Sequence, residues 1–193
     1  KTGESFERSF ALLLLRPYLL TTLLPPLLAG PAEPSRIING VSGGMYTEKL
    51  VCKRLIMKSE RYNGPRAYAR AKRGLTIMTE LWATQWRGDN IVVNAMHPGW
   101  ADTPGVASAL PTFRKLTQKV LRNAREGADT IIWLARAKEA DKVSGKLFLD
   151  RESRTPYLLK KTREAQAERQ QLAVFLQHQL DTVAVESVTE NAA

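Results

Sequence analysis

The feature that most limits the possible folds is an alternation of apolar β-type runs with one unbroken helical stretch. Arg36-Ile37-Ile38-Asn39-Gly40-Val41-Ser42 is a short β-rich run closing on Gly43-Gly44, and Ile91-Val92-Val93-Asn94-Ala95-Met96 is a second, stopped by Pro98-Gly99. Residues 67–86 between them read as helix. Leu75, Met78, Thr79 and Trp82 recur at helical spacing, no Pro interrupts residues 72–80, and Gly88-Asp89 ends the segment. Strand, helix and apolar strand in succession are the building unit of a parallel sheet. Helical sequence over about 113–137 leads to a third expected strand at 146–150, Lys-Leu-Phe-Leu-Asp. The expectation is an α/β fold with parallel strands at 36–42, 90–96 and 146–150.

The apolar run at 11–28 resembles a membrane span in composition only. Arg16, Pro17, Pro25 and Pro26 interrupt it, and no basic leader or small-residue cleavage site frames it, so it is expected to be a buried helix rather than a transmembrane span. The tail at 159–183 reads as a charged helix with Leu172, Phe175, Leu176, Leu180 and Val183 on one stripe, docking on the body or on a neighbour. Residues 1–156 thus form the α/β body and 157–193 a charged amphipathic helical tail.

A formal net charge of +10 favours acidic partners: nucleic acid, anionic lipid, or the negative face of a protein. The basic residues are not gathered into a tract with interleaved aromatics, so no specific nucleic-acid motif is present. Cys52 is the only cysteine, which excludes an intramolecular disulfide and a cysteine-rich metal cluster. It is expected to pack as a small apolar residue. His97 and His178 stand alone, and no metal site is expected.

Tyr68-Ala69-Arg70-Ala71-Lys72 puts a phenol and an ammonium four residues apart on one helix face. A free phenol, with a pKa of about 10, is a poor acid–base catalyst at neutral pH, and a nearby cation favours its ionised form. Such a pair can pass a proton to or from a carbonyl oxygen. Ser42 lies at the end of the preceding strand, where a hydroxyl can hydrogen-bond the same oxygen. The next strand ends in Val93-Asn94-Ala95-Met96-His97-Pro98-Gly99, with Thr103 four residues beyond. Ligands of open α/β sheets bind at such strand ends.

Together the strand-end serine, the YxxxK helix, the VNxxxPG strand end and the PGxxxT loop resemble the short-chain dehydrogenase/reductase family, in order and spacing and over nearly the whole chain. Within the family the match is to a branch marked by an SGGM turn, an HPGWADTPGV loop, a GADT…WLA helix and an SG-K-x-F-x-DR strand, which here occupy residues 42–45, 97–106, 127–135 and 144–151. The resemblance implies that Tyr68 donates and accepts the proton, that Lys72 lowers the phenol pKa and binds nicotinamide ribose, and that Ser42 orients the carbonyl. It implies that the Pro98-Gly99 backbone and Thr103 touch the nicotinamide carboxamide of NAD(P).

The sequence departs from that family in three places. No glycine-rich phosphate-binding turn occurs in the 193 residues. The helix that carries the family's Asn in an N-x-x-G pattern reads Leu13-Leu14-Leu15-Arg16, and the usual Val-Ser-Ser frame is Gly40-Val41-Ser42. The chain also begins at Lys1 rather than Met, so residues upstream are expected. The fold expected is therefore the later half of a doubly wound, Rossmann-like parallel sheet with flanking helices, its first βαβ units missing. The leading expectation is a degenerate, non-catalytic accessory subunit that does not bind NAD(P) alone, its exposed sheet edge covered by other protein subunits. The alternative is part of an active NAD(P)-dependent oxidoreductase that reduces carbonyls or oxidises alcohols by hydride transfer at a Ser–Tyr–Lys site. A nucleic-acid contact rests on charge alone. The expected setting is intracellular, in the cytoplasm or an organelle such as the mitochondrion.

Overall fold

In the computed structural model, which describes residues 1–2, 6–102, 115 and 121–190 (183–190 by backbone alone), the two apolar runs pair as expected. Strand β1 (Ser35–Gly40) runs parallel to β2 (Ile91–Met96) in a register from Ser35 opposite Ile91 to Gly40 opposite Met96. Strand β3 (Leu147–Leu149) is parallel to β2. A fourth strand, β4 (Glu152–Arg154), is antiparallel to β3, so the sheet is mixed, in the order β1-β2-β3-β4. The extra strand has a local cause. Asp150 and Arg151 both take positive φ, 56° and 59°, the geometry of a two-residue hairpin turn. Neither residue is the Gly or Asn that signals such a turn, so the hairpin was invisible in the sequence. Ser42 is likewise not within a strand: β1 ends at Gly40, and Ser42 follows it.

The chain divides into two compact units, one of residues 31–43 and 79–156, the other of residues 1–30, 44–78 and 157–193. The first is built on the sheet. All six residues of β2 are buried, as befits a strand covered on both faces. Its one polar member, Asn94, donates Nδ2 to the Val143 carbonyl at 2.6 Å and accepts from the Lys146 amide at 3.0 Å, so its burial leaves no polar atom stranded. The helix expected over 113–137 is not continuous: residues 121–123 are non-helical, with Arg122 bridged to Ala101, and helix α5 (Ala124–Arg136) begins only after them; residues 113, 114 and 116–120 lie outside the described residues. It starts at a reciprocal cap, in which the Asn123 side chain accepts from the Glu126 amide and Glu126 accepts from the Asn123 amide. Its Leu134 packs with Met96, Ala140 and Phe148 to form this unit's core.

The other unit is helical. The expected single helix at 11–28 is broken into α1 (Arg8–Phe10), a π-helical stretch (Ala11–Leu15), α2 (Arg16–Leu23) and α3 (Pro25–Leu28). Pro17 explains the interruption. It has no N–H for an ordinary helical bond, and the wider π turn, closed by the Arg16 amide on the Ala11 carbonyl, precedes it. Helix α4 (Gly64–Gln85) starts three residues before and ends one residue short of the expected 67–86, and is capped by Asn63, whose Oδ1 accepts from the Arg66 amide at 3.0 Å. A Cβ added at Gly74 would stand 2.7 Å from Leu14 Cδ2, so glycine permits the close approach of that leucine to α4.

Helix α6 (Gln166–Glu190) starts later and runs further than the expected tail. Its Leu172 and Leu176 are wholly buried, Phe175 meets Phe10 edge-on at 6.1 Å, and the Tyr18 hydroxyl donates to the Ala173 carbonyl. Cys52 is buried as expected, its backbone amide donating to Glu168 Oε2 at 2.6 Å. Among the described residues no helix is long and apolar enough to cross a membrane, and no group of metal-ligating side chains is present.

Candidate active site

Tyr68 and Lys72 lie in the first half of α4, one turn apart. Tyr68 is 38% exposed, a high value for a phenol whose neighbours Ala67 and Ala69 are buried. The Lys72 ammonium stands over the Tyr68 ring, 5.8 Å from its centroid. Burial holds the Lys72 pKa below the ordinary lysine value, because desolvation penalises the charged form. The geometry is thus an accessible phenol with a partly desolvated cation behind it, as the four-residue spacing required. Leu13, at the position of the family's Asn, lies half-buried on the π-helical stretch and offers no polar side-chain atom to a proton relay.

Ser42, Pro98 and Gly99 belong to the sheet unit. Because Gly40 pairs with Met96, Ser42 and Pro98 each stand two residues beyond paired residues, at the carboxyl ends of adjacent parallel strands. The Val41 amide donates to the Met96 carbonyl at 2.7 Å, extending the pairing almost to Ser42. Gly99 has φ +74°, and its amide donates to His97 Nδ1 at 3.2 Å. That bond needs a ring nitrogen free of its proton. Burial first, and the nearby Arg122 charge second, lower the His97 pKa and favour this neutral form. Thr103 lies outside the described residues.

Arg122, which the sequence reading did not single out, holds this turn together with Asp150 of the DR motif. Arg122 forms a two-point ion pair with Asp150, at 2.6 and 2.8 Å, and donates to the Pro98 carbonyl at 3.3 Å. Hydrogen bonding from Arg122 keeps the Asp150 carboxyl below its ordinary range. Next to them Arg151 pairs with Asp129, and its amide donates to Thr130 Oγ1. A Cβ on Gly127 would press on Ala101 at 3.2 Å. The GADT and DR motifs therefore meet in space and brace the turn after β2. Both motifs are visible in the sequence, but pairing between them is a tertiary fact. An open groove of about 380 Å³ on the α5 surface, lined by Arg125, Asp129, Trp133 and Arg136 among others, includes none of Ser42, Pro98 or Gly99.

Residues 48–148 match the family described as enoyl-(acyl carrier protein) reductase. The human protein "Dehydrogenase/reductase SDR family member 12" is 37% identical over 94% of this chain and 57% of its own length. Mouse "Retinol dehydrogenase 14" is 33% identical over 78% of the chain and 46% of its own length. The chain thus spans about half the length of these relatives. Among solved structures, a protein from Thermus thermophilus superposes with TM-score 0.58 at 22% identity, covering 76% of this chain and 59% of that one. The 3-ketoacyl-(acyl-carrier-protein) reductase of Brucella melitensis, complexed with NADH, gives 0.52 at 18% over 68% and 50%. These two likenesses concern the fold alone. This chain belongs to the short-chain dehydrogenase/reductase family.

Proposed function

We propose that this chain carries the proton-transfer residues of an NAD(P)-dependent oxidoreductase acting on a carbonyl or alcohol. The observation that carries the reading is the pair on α4: an accessible Tyr68 phenol backed by the partly buried Lys72 ammonium. In the direction of reduction Tyr68 gives its proton to the carbonyl oxygen, and the Lys72 charge stabilises the phenolate left behind. Ser42 is the hydroxyl that orients the carbonyl.

Members of this family use NAD(P), whose reduced form would supply the hydride in carbonyl reduction and whose oxidised form would accept it in alcohol oxidation. Each unit by itself carries residue types that suit the nicotinamide–ribose end of such a cofactor. Lys72 and Tyr68 offer polar contacts for a ribose. At Gly99 the side that a Cβ would occupy is filled by the Arg122 guanidinium at 2.8 Å, leaving a bare, braced backbone at the end of β2. Pro98 and Gly99 are the residues that would face the nicotinamide, with Thr103 after them. No residues of this sequence form a glycine-rich cradle for the pyrophosphate.

The second reading is a degenerate accessory subunit, and one specific observation favours it: Leu13 and Arg16 stand where the family has Asn and Gly. In that case another polypeptide would pair with β1, which has only β2 as a neighbour among the described residues. The test is to follow NADH and NADPH absorbance with the purified protein and a panel of aldehydes and ketones. Carbonyl-dependent oxidation of either nucleotide supports the oxidoreductase. Absence of both turnover and nucleotide binding transfers the case to the accessory reading.

A further inference from the structure

The segment entering α6 presents two large apolar side chains to solvent, directly followed by cations. Leu158 is 66% and Leu159 51% exposed, and Lys160 and Lys161 after them are exposed as well. This is an ordered turn rather than a loose stretch. The Thr162 hydroxyl donates to the Leu159 carbonyl at 2.8 Å, the Arg163 amide donates to the Lys160 carbonyl at 3.1 Å, and Thr162 itself is buried. Arg163 stacks its guanidinium on the Tyr157 ring at 5.1 Å, and the Tyr157 hydroxyl donates to Glu164.

Charges in this region are sorted by direction. The acidic groups turn inward: Glu164 is buried and paired with Arg169, and Glu168 accepts from the Cys52 amide. That last bond seats the short helical turn Cys52–Arg54 against the start of α6, and its Lys53 and Arg54 side chains are exposed. The outer surface of the segment therefore shows two leucines followed by Lys160, Lys161 and Arg163, with Glu164 and Glu168 withdrawn, and Lys53 and Arg54 are exposed on the turn that packs against the start of α6.

We propose that this turn docks the protein on an anionic lipid surface, with Leu158 and Leu159 entering the headgroup region and the lysines meeting lipid phosphates. Peripheral attachment of this kind draws on buried apolar area together with attraction of basic side chains to acidic headgroups. Charge complementarity decides the occupant. The projecting leucines are directly followed by exposed cations, and an interface of headgroup phosphate over acyl chain satisfies both at once. The chain's excess of ten positive charges adds long-range attraction of the same sign. The inference is independent of the oxidoreductase reading.

The test is co-sedimentation of the full chain with vesicles of phosphatidylcholine alone and of phosphatidylcholine mixed with phosphatidylserine. Binding is expected for the mixed vesicles and not for the neutral ones. The double variant Lys160→Ala/Lys161→Ala should lower the partition coefficient roughly five-fold per lysine. Leu158→Ser/Leu159→Ser should lower it by at least a similar factor, and added salt should weaken what remains. All four side chains are exposed, so circular dichroism should show both variants folded. Three results would each overturn the proposal. These are equal binding to the two vesicle types, no binding to either, and unchanged binding by both variants. Sedimentation without vesicles that is lost in the leucine variant would assign the turn to a second copy instead, and also overturns it.

Discussion

In the sheet unit, the family's residues hold one another. Arg122 grips Asp150 and the Pro98 carbonyl, Arg151 grips Asp129, and Gly99 keeps its left-handed backbone against the Arg122 guanidinium. In the helical unit, Tyr68 is exposed with Lys72 over its ring, and Leu14 packs where a Cβ on Gly74 would stand. The first set of residues is kept by packing and ion pairing, so its presence follows from the fold whether or not the protein is an enzyme. The second set has less structural reason to persist, and so tells more about chemistry. Substitutions in the two units should accordingly fail in different ways: those around Gly99 through stability, those at Tyr68 and Lys72 through rate.

After loss of the Tyr68 hydroxyl itself, the largest effect is expected at Lys72. Lys72→Met keeps the buried stem and removes the charge, and should slow carbonyl reduction on the order of a hundred-fold or more with little change in thermal midpoint. A matching loss of stability would mean that the lysine is structural and would erase the contrast between the units.

Gly99→Ala comes next, on the opposite side of the comparison. An alanine there must accept φ +74° and push the Arg122 guanidinium, at a cost of about 1–3 kcal/mol measurable by denaturant unfolding. Gly74→Ala should cost about 1 kcal/mol, the low end of overpacking, because the atom it meets is the tip of the Leu14 side chain. Equal and negligible costs at both glycines would break the account of how the two units are packed.

The smallest effect concerns Cys52. Burial first, and then the Glu168 carboxylate, push its thiol up to about 12. Between the ordinary value of 9.0 and about 12 an unfolded chain has lost this proton and the folded chain has kept it. The thiol's contribution to stability is therefore complete below pH 9 and declines as pH rises through that window. Alkylation of the native protein near neutral pH should be slow, and rapid once denaturant is added.

Much of this was legible in the sequence for identifiable reasons. The runs at 36–42 and 91–96 read as β-rich because most of the first and all of the second become sheet strands, and the helix between them shows its period because one face is buried. Tyr68 and Lys72 could be named because four residues on a helix settle their relation locally. The β3–β4 hairpin could not, since Arg151 adopts positive φ where such a turn usually has glycine. The π-helical stretch was hidden because Pro17 marks an irregularity without specifying its form. Arg122 escaped notice because its importance rests on contacts with Pro98 and Asp150, and pairing across a fold leaves no trace in spacing.

The most direct test of the central claim is the rate of NAD(P)H-dependent carbonyl reduction by the protein and by its Tyr68→Phe variant at saturating nucleotide. Phenylalanine keeps the ring under the Lys72 ammonium and removes only the hydroxyl. The account predicts a loss of roughly a hundred- to ten-thousand-fold in the rate, with the fold and thermal midpoint unchanged. A Tyr68→Phe variant as fast as the parent would contradict it.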